Sequence, residues 1–271
     1  MRKQLATQES LLSRAIEIFR EEGIWVLFNR TLAYISSIVL PFRHNKLEFP
    51  LLPYVLLRVR KFHKNNPDDL VDFCFHDAAR SLKPLQIKEE ILELLKIVNE
   101  IKPKVVLEIG TANGGTLFLF SRVASESATI ISIDLPGGWG GGYSKWRIPL
   151  YKSFTLLEQK LHLHRVDSHS EGTLSQVEHI LDGKKVDFLF IDGDHTYEGV
   201  RKDFEMYSPL VGKGGMIAFH DIDHIVPHPR PPFCEVSKLW DEIKNNYRSI
   251  EIIKKQKDYG RGCGIGVLYV E

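Results

Sequence analysis

Short apolar runs separated by amphipathic stretches dominate the chain from about residue 85 onward. Runs at 105–109, 129–133, 161–166, 186–191, 216–220, 249–253 and 264–270 each have the length and composition of a buried strand. Between them lie segments with a helical period. The clearest is 87–99, where Ile91, Leu92, Leu94, Leu95 and Val98 mark one buried face; 171–181 reads as another. Strands that alternate with helices build a parallel sheet covered on both faces. Only residues 254–263 separate the last two strands, too few for a crossover helix, so these two are expected as an antiparallel pair at the sheet edge. The expectation is an α/β fold: seven strands, mostly parallel, with an antiparallel carboxyl-terminal edge strand and helices on both faces.

The amino-terminal part has another pattern. Residues 8–40 read as one or two helices, with a stripe of Leu11, Leu12, Ala15, Ile16, Ile18 and Phe19. Pro41, Pro50 and Pro53 suggest an irregular connection, with a helical piece over 51–63. The turn signal Asn65, Asn66, Pro67 divides a helical extension, 1–66, from a catalytic domain, 67–271. Within the extension, 24–42 is strongly apolar but broken by Asn29 and Arg30, which argues against a spanning helix. Arg20, Arg43 and Lys46 with Trp25 and Tyr34 suit a helix lying in a membrane surface. A helix packed on the domain or in a dimer interface fits equally well.

Composition narrows the function classes. With 36 basic and 35 acidic residues in 271, net charge is +1, so no bulk field draws nucleic acid. Cys74, Cys234 and Cys263 are odd in number and widely spaced, which fits a reducing compartment, and no C-x-x-C pair points to zinc. Arg2 and Lys3 lead into polar residues rather than an apolar signal core, so the expected location is cytoplasmic, or peripheral at the inner membrane face if 24–42 lies in the interface.

The candidate chemistry begins at VVLEIGTANGGTLFLFS, residues 105–121, an apolar strand running into a glycine turn and a helix. Gly110, Gly114 and Gly115 allow a tight turn and close approach to a ligand, with Thr111 and Asn113 in the same cradle. The spacing is not the G-x-G-x-x-G that seats a pyrophosphate, and Glu108 would repel one while accepting from an ammonium group. S-adenosylmethionine is therefore favoured over NAD. Ligands of open α/β sheets bind beyond the carboxyl ends of strands, and here those ends are rich in acids. Asp134 suits ribose hydroxyls; Asp167 and Ser168 suit an adenine amino group or else cap the helix at 171. FLFIDGDHTYEGVRKDF, residues 188–204, releases Asp192, Asp194 and His195 from a strand, and AFHDID, 218–223, brings His220, Asp221 and Asp223 beside them. Mutual repulsion of these acids invites Mg²⁺, Mn²⁺ or Fe²⁺. Acids that cap helices or bind substrate hydroxyls without metal are the alternative.

These motifs, together with IDLPGGWGGGY and GGMIAFHDI, resemble class I S-adenosylmethionine-dependent methyltransferases of the cephalosporin hydroxylase-like branch, with macrolide-sugar O-methyltransferases similar, over about residues 85–271. The resemblance implies a Rossmann-like fold, a magnesium site formed by Asp192, His220 and Asp221, and His195 as general base. It also implies a sugar, glycan or glycosylated small molecule as acceptor of O-methyl transfer; a membrane-facing extension would suit a lipid-linked saccharide. His220 departs from the carboxylate common in such sites, and imidazole is a poorer ligand for Mg²⁺. Gly137–Gly142 with Trp139 and Tyr143 reads as a lid, His224, His228 and HPRPP as a substrate loop or a rigid connector, and Trp146, Arg147 and Tyr151 as pocket lining. A homo-oligomer is expected. Readings left open are a non-haem iron oxygenase using His195, His220 and an aspartate, a metal-independent methyltransferase, an NAD oxidoreductase, and a non-catalytic adaptor.

Overall fold

The computed structural model describes residues 44–77, 81–137, 141–156, 158–223, 234–254 and 264–271. Expectations for 8–40, for Trp139, and for the loop bearing His224 and His228 lie outside the described residues. Strands β1 (Val105–Ile109), β2 (Thr129–Asp134), β3 (Lys160–Arg165), β4 (Val186–Ile191), β5 (Val211–His220), β6 (Arg248–Ile252) and β7 (Ile265–Tyr269) form one sheet in the order β3-β2-β1-β4-β5-β7-β6. The first five are parallel, and β7 pairs antiparallel with both β5 and β6. The antiparallel pair does stand at the sheet edge. Within it β7 is the inner strand, because its residues Ile265, Val267 and Leu268 are fully apolar and bury, while β6 alternates with exposed Arg248 and Glu251.

Strand alternation feeds two buried clusters, one on each face. Val106, Ile130, Phe188, Phe190, Met216 and Ala218 face one; Leu107, Ile109, Ile131, Leu189, Ile217 and Phe219 face the other. Helices α1 (His44–Lys61), α2 (Pro67–Asp72), α3 (Lys88–Ile101), α4 (Gly115–Val123) and α5 (Ile148–Lys152) cover the first. Helices α6 (Glu171–Leu181), α7 (Tyr197–Tyr207) and α8 (Val236–Ile243) cover the second.

Three boundaries differ from the sequence reading. Helix α1 starts at His44 and runs through Pro50 rather than starting at residue 51; Pro53 within it is exposed, and burial of Tyr54, Val55 and Val59 offsets a proline cost of about 3 kcal/mol. Asn66 and Pro67 do not merely break the chain: Asn66 caps α2 by accepting from the Asp69 N–H, with Pro67 in the first turn. Strand β5 begins at Val211 rather than Met216, its glycines Gly212, Gly214 and Gly215 carrying an irregularity in the pairing with β4. Among the described residues, no helix is long and apolar enough to cross a membrane.

Candidate active site

The glycine turn is shaped by protein on its back. Gly110 adopts φ 92°, and a Cβ there would lie 2.0 Å from the Asp192 carbonyl oxygen; at Gly114 (φ 78°) it would strike the Tyr151 ring at 2.4 Å. The space that a side chain at these glycines would need is filled by the backbone just after β4 and by Tyr151 of α5. Gly110→Ala is expected to cost more than about 3 kcal/mol of stability, read as a lowered denaturant midpoint, since neither contact atom is a flexible side-chain end. Tyr151 and Arg147, expected to line the acceptor pocket, instead brace this turn: the Tyr151 hydroxyl donates to the Ala112 carbonyl at 2.6 Å and Arg147 to those of Asn113 and Ser81. Tyr143 likewise is no free lid residue. It is buried and packs edge-on against Tyr151, its ring centroid 4.8 Å away.

Asp134 closes β2 under the same turn. Its carboxylate accepts from the backbone N–H groups of Thr111 (3.0 Å), Ala112 (2.7 Å) and Leu135 (2.8 Å). Burial raises its pKa, and these three donors partly offset that. One lone-pair direction of four remains for a ligand hydroxyl. Ala112 itself sits at φ 43°, a left-handed conformation held by this grip.

Glu108 is the most unusual group. It is fully buried, and neither carboxylate oxygen has a hydrogen-bond partner. Burial pushes its pKa up to about 8, helped by the Asp134 and Asp192 charges; the Thr116 and Thr111 hydroxyls ease the charge without offering hydrogen-bond geometry. A buried, unpartnered carboxyl beside an open turn fits the ammonium group of an amino-acid-bearing cofactor.

After β3 the chain is tied down locally. Asp167 accepts from the His169 N–H at 2.9 Å and remains well exposed, while Ser168 offers its carbonyl to the Tyr207 hydroxyl at 2.7 Å. The residue preceding α6 is Ser170, so Asp167 does not cap that helix. Its carboxylate stays open to a ligand at the sheet rim.

The ends of β4 and β5 bring together the second cluster. Asp192 Oδ1 lies 3.1 Å from His220 Nδ1 and 3.3 Å from His195 Nε2; Asp221 approaches His195 Nδ1 at 3.1 Å and His220 Nδ1 at 3.5 Å. Asp192, His220 and Asp221 place one ligating atom each within 4.8 Å of one another. Burial disfavours charge at Asp192, His195 and His220, yet the pairing wins at all three. It holds Asp192 far below the usual carboxylate range, pushes His220 up to about 9, and raises His195 well above the ordinary imidazole range. Each of the two aspartates thus has an imidazole within reach, a pairing that eases their mutual repulsion without a cation. Asp194 and Asp223 stand outside these ligand sets; Asp194 accepts from the Thr196 N–H in the turn before α7.

Three contributors were not legible in the sequence. Gln86, 4% exposed, donates to Asp192 Oδ2 at 2.7 Å from a segment 106 residues away, leaving its own Oε1 unpartnered. Glu90, read as an ordinary helix residue, is buried and accepts from Lys254 N and Gly264 N, clasping both ends of the β6–β7 connection. Cys234 falls beside His195 and Asp221. No short motif carries any of the three.

Comparison with known proteins agrees with this architecture. Residues 107–222 match the family described as a methyltransferase domain. Over 131 residues the chain is 34% identical to the uncharacterized protein R132 of Acanthamoeba polyphaga mimivirus, covering 48% of this chain and 57% of that protein. It is 22% identical over 137 residues to the uncharacterized protein y4gI of Sinorhizobium fredii, covering 47% of this chain and 14% of that one. The chain therefore spans about half the length of the first of these relatives and far less of the second. Among solved structures, cofactor-bound Rv0187 from MTB superposes with a TM-score of 0.52 at 14% identity, covering 78% of this chain and all of that one. The O-methyltransferase from Bacillus cereus, in complex with SAH, gives 0.49 at 16% identity, with 77% and 92% covered. Fold, glycine turn and family match together define a class I S-adenosylmethionine-dependent methyltransferase domain. The match over residues 107–222 agrees with the resemblance drawn from the motifs.

Proposed function

We propose that this chain catalyses O-methylation: transfer of a methyl group from S-adenosylmethionine to a hydroxyl of a sugar, glycan or glycosylated small molecule, assisted by a divalent cation. The observation that carries the reading is the juxtaposition, at one sheet rim, of the buried unpartnered Glu108 with the imidazole–carboxylate cluster of Asp192, His195, His220 and Asp221. When bound, the cofactor supplies a methyl group on a sulfonium, open to in-line displacement by oxygen. Glu108 accepts from its ammonium, Gly110, Thr111, Asn113 and Gly114 form the cradle, Asp134 offers its remaining lone pair to the ribose, and Asp167 with Ser168 face the adenine end. Asp192 borders this cradle through the contact of its backbone with Gly110.

Asp192, His220 and Asp221 would hold a divalent cation such as Mg²⁺ or Mn²⁺, which would supply Lewis-acid polarisation of the acceptor hydroxyl. His195, more exposed than its partners, is placed to take the hydroxyl proton. Gln86 keeps Asp192 oriented throughout. The acceptor class rests on the resemblance to sugar-modifying enzymes.

Turnover of radiolabelled methyl donor is expected to disappear on treatment with EDTA and to return with Mg²⁺ or Mn²⁺. A second reading, metal-independent transfer, is favoured by the close pairing of the two imidazoles with the two aspartates; full activity in EDTA would select it. Absence of saturable S-adenosylmethionine binding would remove both.

A further inference from the structure

We propose that His195, Asp221 and Cys234 form a second cation site, suited to a thiophilic divalent ion such as Zn²⁺, and that filling it silences the enzyme by withdrawing His195 from proton transfer. One ligating atom from each of the three lies within 4.8 Å of the others. Side-chain rotation would close that spread onto an ion with bonds of about 2.0 to 2.3 Å.

Their placement is secured from outside the cluster. The N–H of Glu235, next to Cys234, donates to the His195 carbonyl at 2.7 Å, and the Glu235 carboxylate accepts from Tyr197 N at 3.3 Å. The start of α8 is thereby pinned to the turn that carries His195. Asp221 reaches across in a left-handed conformation, φ 63°, and the Cys234 thiol, a free cysteine, lies over its carbonyl at 3.9 Å.

The donor chemistry separates this set from its neighbour. Asp192, His220 and Asp221 offer only oxygen and nitrogen; the second set adds sulfur, which selects Zn²⁺, Co²⁺ or Cu⁺ and is a poor partner for Mg²⁺. Three protein ligands with one open position are a common zinc arrangement. Occupation releases the thiol and imidazolium protons to solvent and ties up a ring nitrogen of His195. Asp221 belongs to both sets, so the two ions would also compete. The silencing rests on His195 being the base proposed above; the binding does not.

Cobalt provides the test, as a spectroscopic stand-in for zinc on the metal-free full chain. A near-ultraviolet sulfur-to-cobalt charge-transfer band is expected in the wild type and should vanish in Cys234→Ser. Zinc affinity, read by competition with a chromogenic chelator, should fall in that variant by at least the roughly 10- to 100-fold that even outer partners of a metal cost. Zinc added to the Mg²⁺-supplied enzyme should inhibit the wild type and require correspondingly more zinc in the variant. Cys234→Ala serves as a second variant, with circular dichroism checking that both fold. No charge-transfer band, or equal zinc affinity in all three proteins, would overturn the site. Zinc binding that depends on Cys234 but leaves turnover unchanged would overturn the silencing and, with it, the role of His195 as base.

Discussion

His195→Ala is expected to lower kcat by about 10²- to 10⁴-fold, the usual contribution of a positioned general base, while changing the cofactor Kd little. The split follows from position. His195 pairs with Asp192 and Asp221 at the ends of β4 and β5, whereas the glycine turn is braced by Asp134, Tyr151 and Arg147, none of which it touches. The readouts are single-turnover methyl transfer and calorimetric titration with S-adenosylhomocysteine. Added imidazole should restore part of the rate, which a purely structural defect would not allow. Equal losses in rate and in cofactor affinity would show that His195 maintains the pocket rather than moving a proton.

Glu108→Gln should produce two large and opposite effects. The folded-state pKa of Glu108 is about 8, against 4.5 for an ordinary glutamate. Between those values the unfolded chain has lost a proton that the folded chain keeps, so the cofactor-free protein loses stability as pH rises from about 4.5 to about 8. At about 1.4 kcal/mol per unit, this amounts to a few kcal/mol for a fully buried group. The neutral amide has the same shape and escapes the penalty. The cofactor-free variant should therefore melt higher than the wild type at pH 8, with the gap closing toward pH 4, as calorimetry can follow. The same change removes the charge that would receive the cofactor ammonium, and a charge-assisted hydrogen bond is worth about 1.5–3 kcal/mol, so S-adenosylmethionine affinity should fall roughly 10- to 100-fold. A variant that binds the cofactor as tightly as the wild type would sever Glu108 from the ammonium. The wild-type affinity should itself rise with pH up to about 8, because binding expels the Glu108 proton.

The strands were legible because each is a short apolar run bounded by polar residues, a signal contained in consecutive positions. All seven lie within a few residues of their expected places, except that β5 starts earlier through its glycines. The order of β6 and β7 was not legible, since two strands joined without a helix can pair at the edge in either order, and the burial of Ile265, Val267 and Leu268 decides it. At the site, Asp134, Asp192, His195, His220 and Asp221 could be picked out because each ends a strand or stands in the turn just after one, and topology alone sends strand ends to one rim. The functions of Tyr151 and Arg147 could not, because an aromatic or basic residue near a site reads the same whether it faces a ligand or braces the turn from behind.

Local order in the chain thus determined the class of protein: a parallel sheet, a glycine turn after an acid, and acids with imidazoles at strand ends. Only the tertiary structure decided what those groups do to one another. Gln86 meets Asp192 across 106 residues, Glu90 meets Gly264 across 174, and Cys234 meets His195 and Asp221 at the start of α8. Charge balance, burial and ligand sets depend on distances of a few ångströms between chain-distant atoms. Sequence spacing holds no information about such distances until the core has packed.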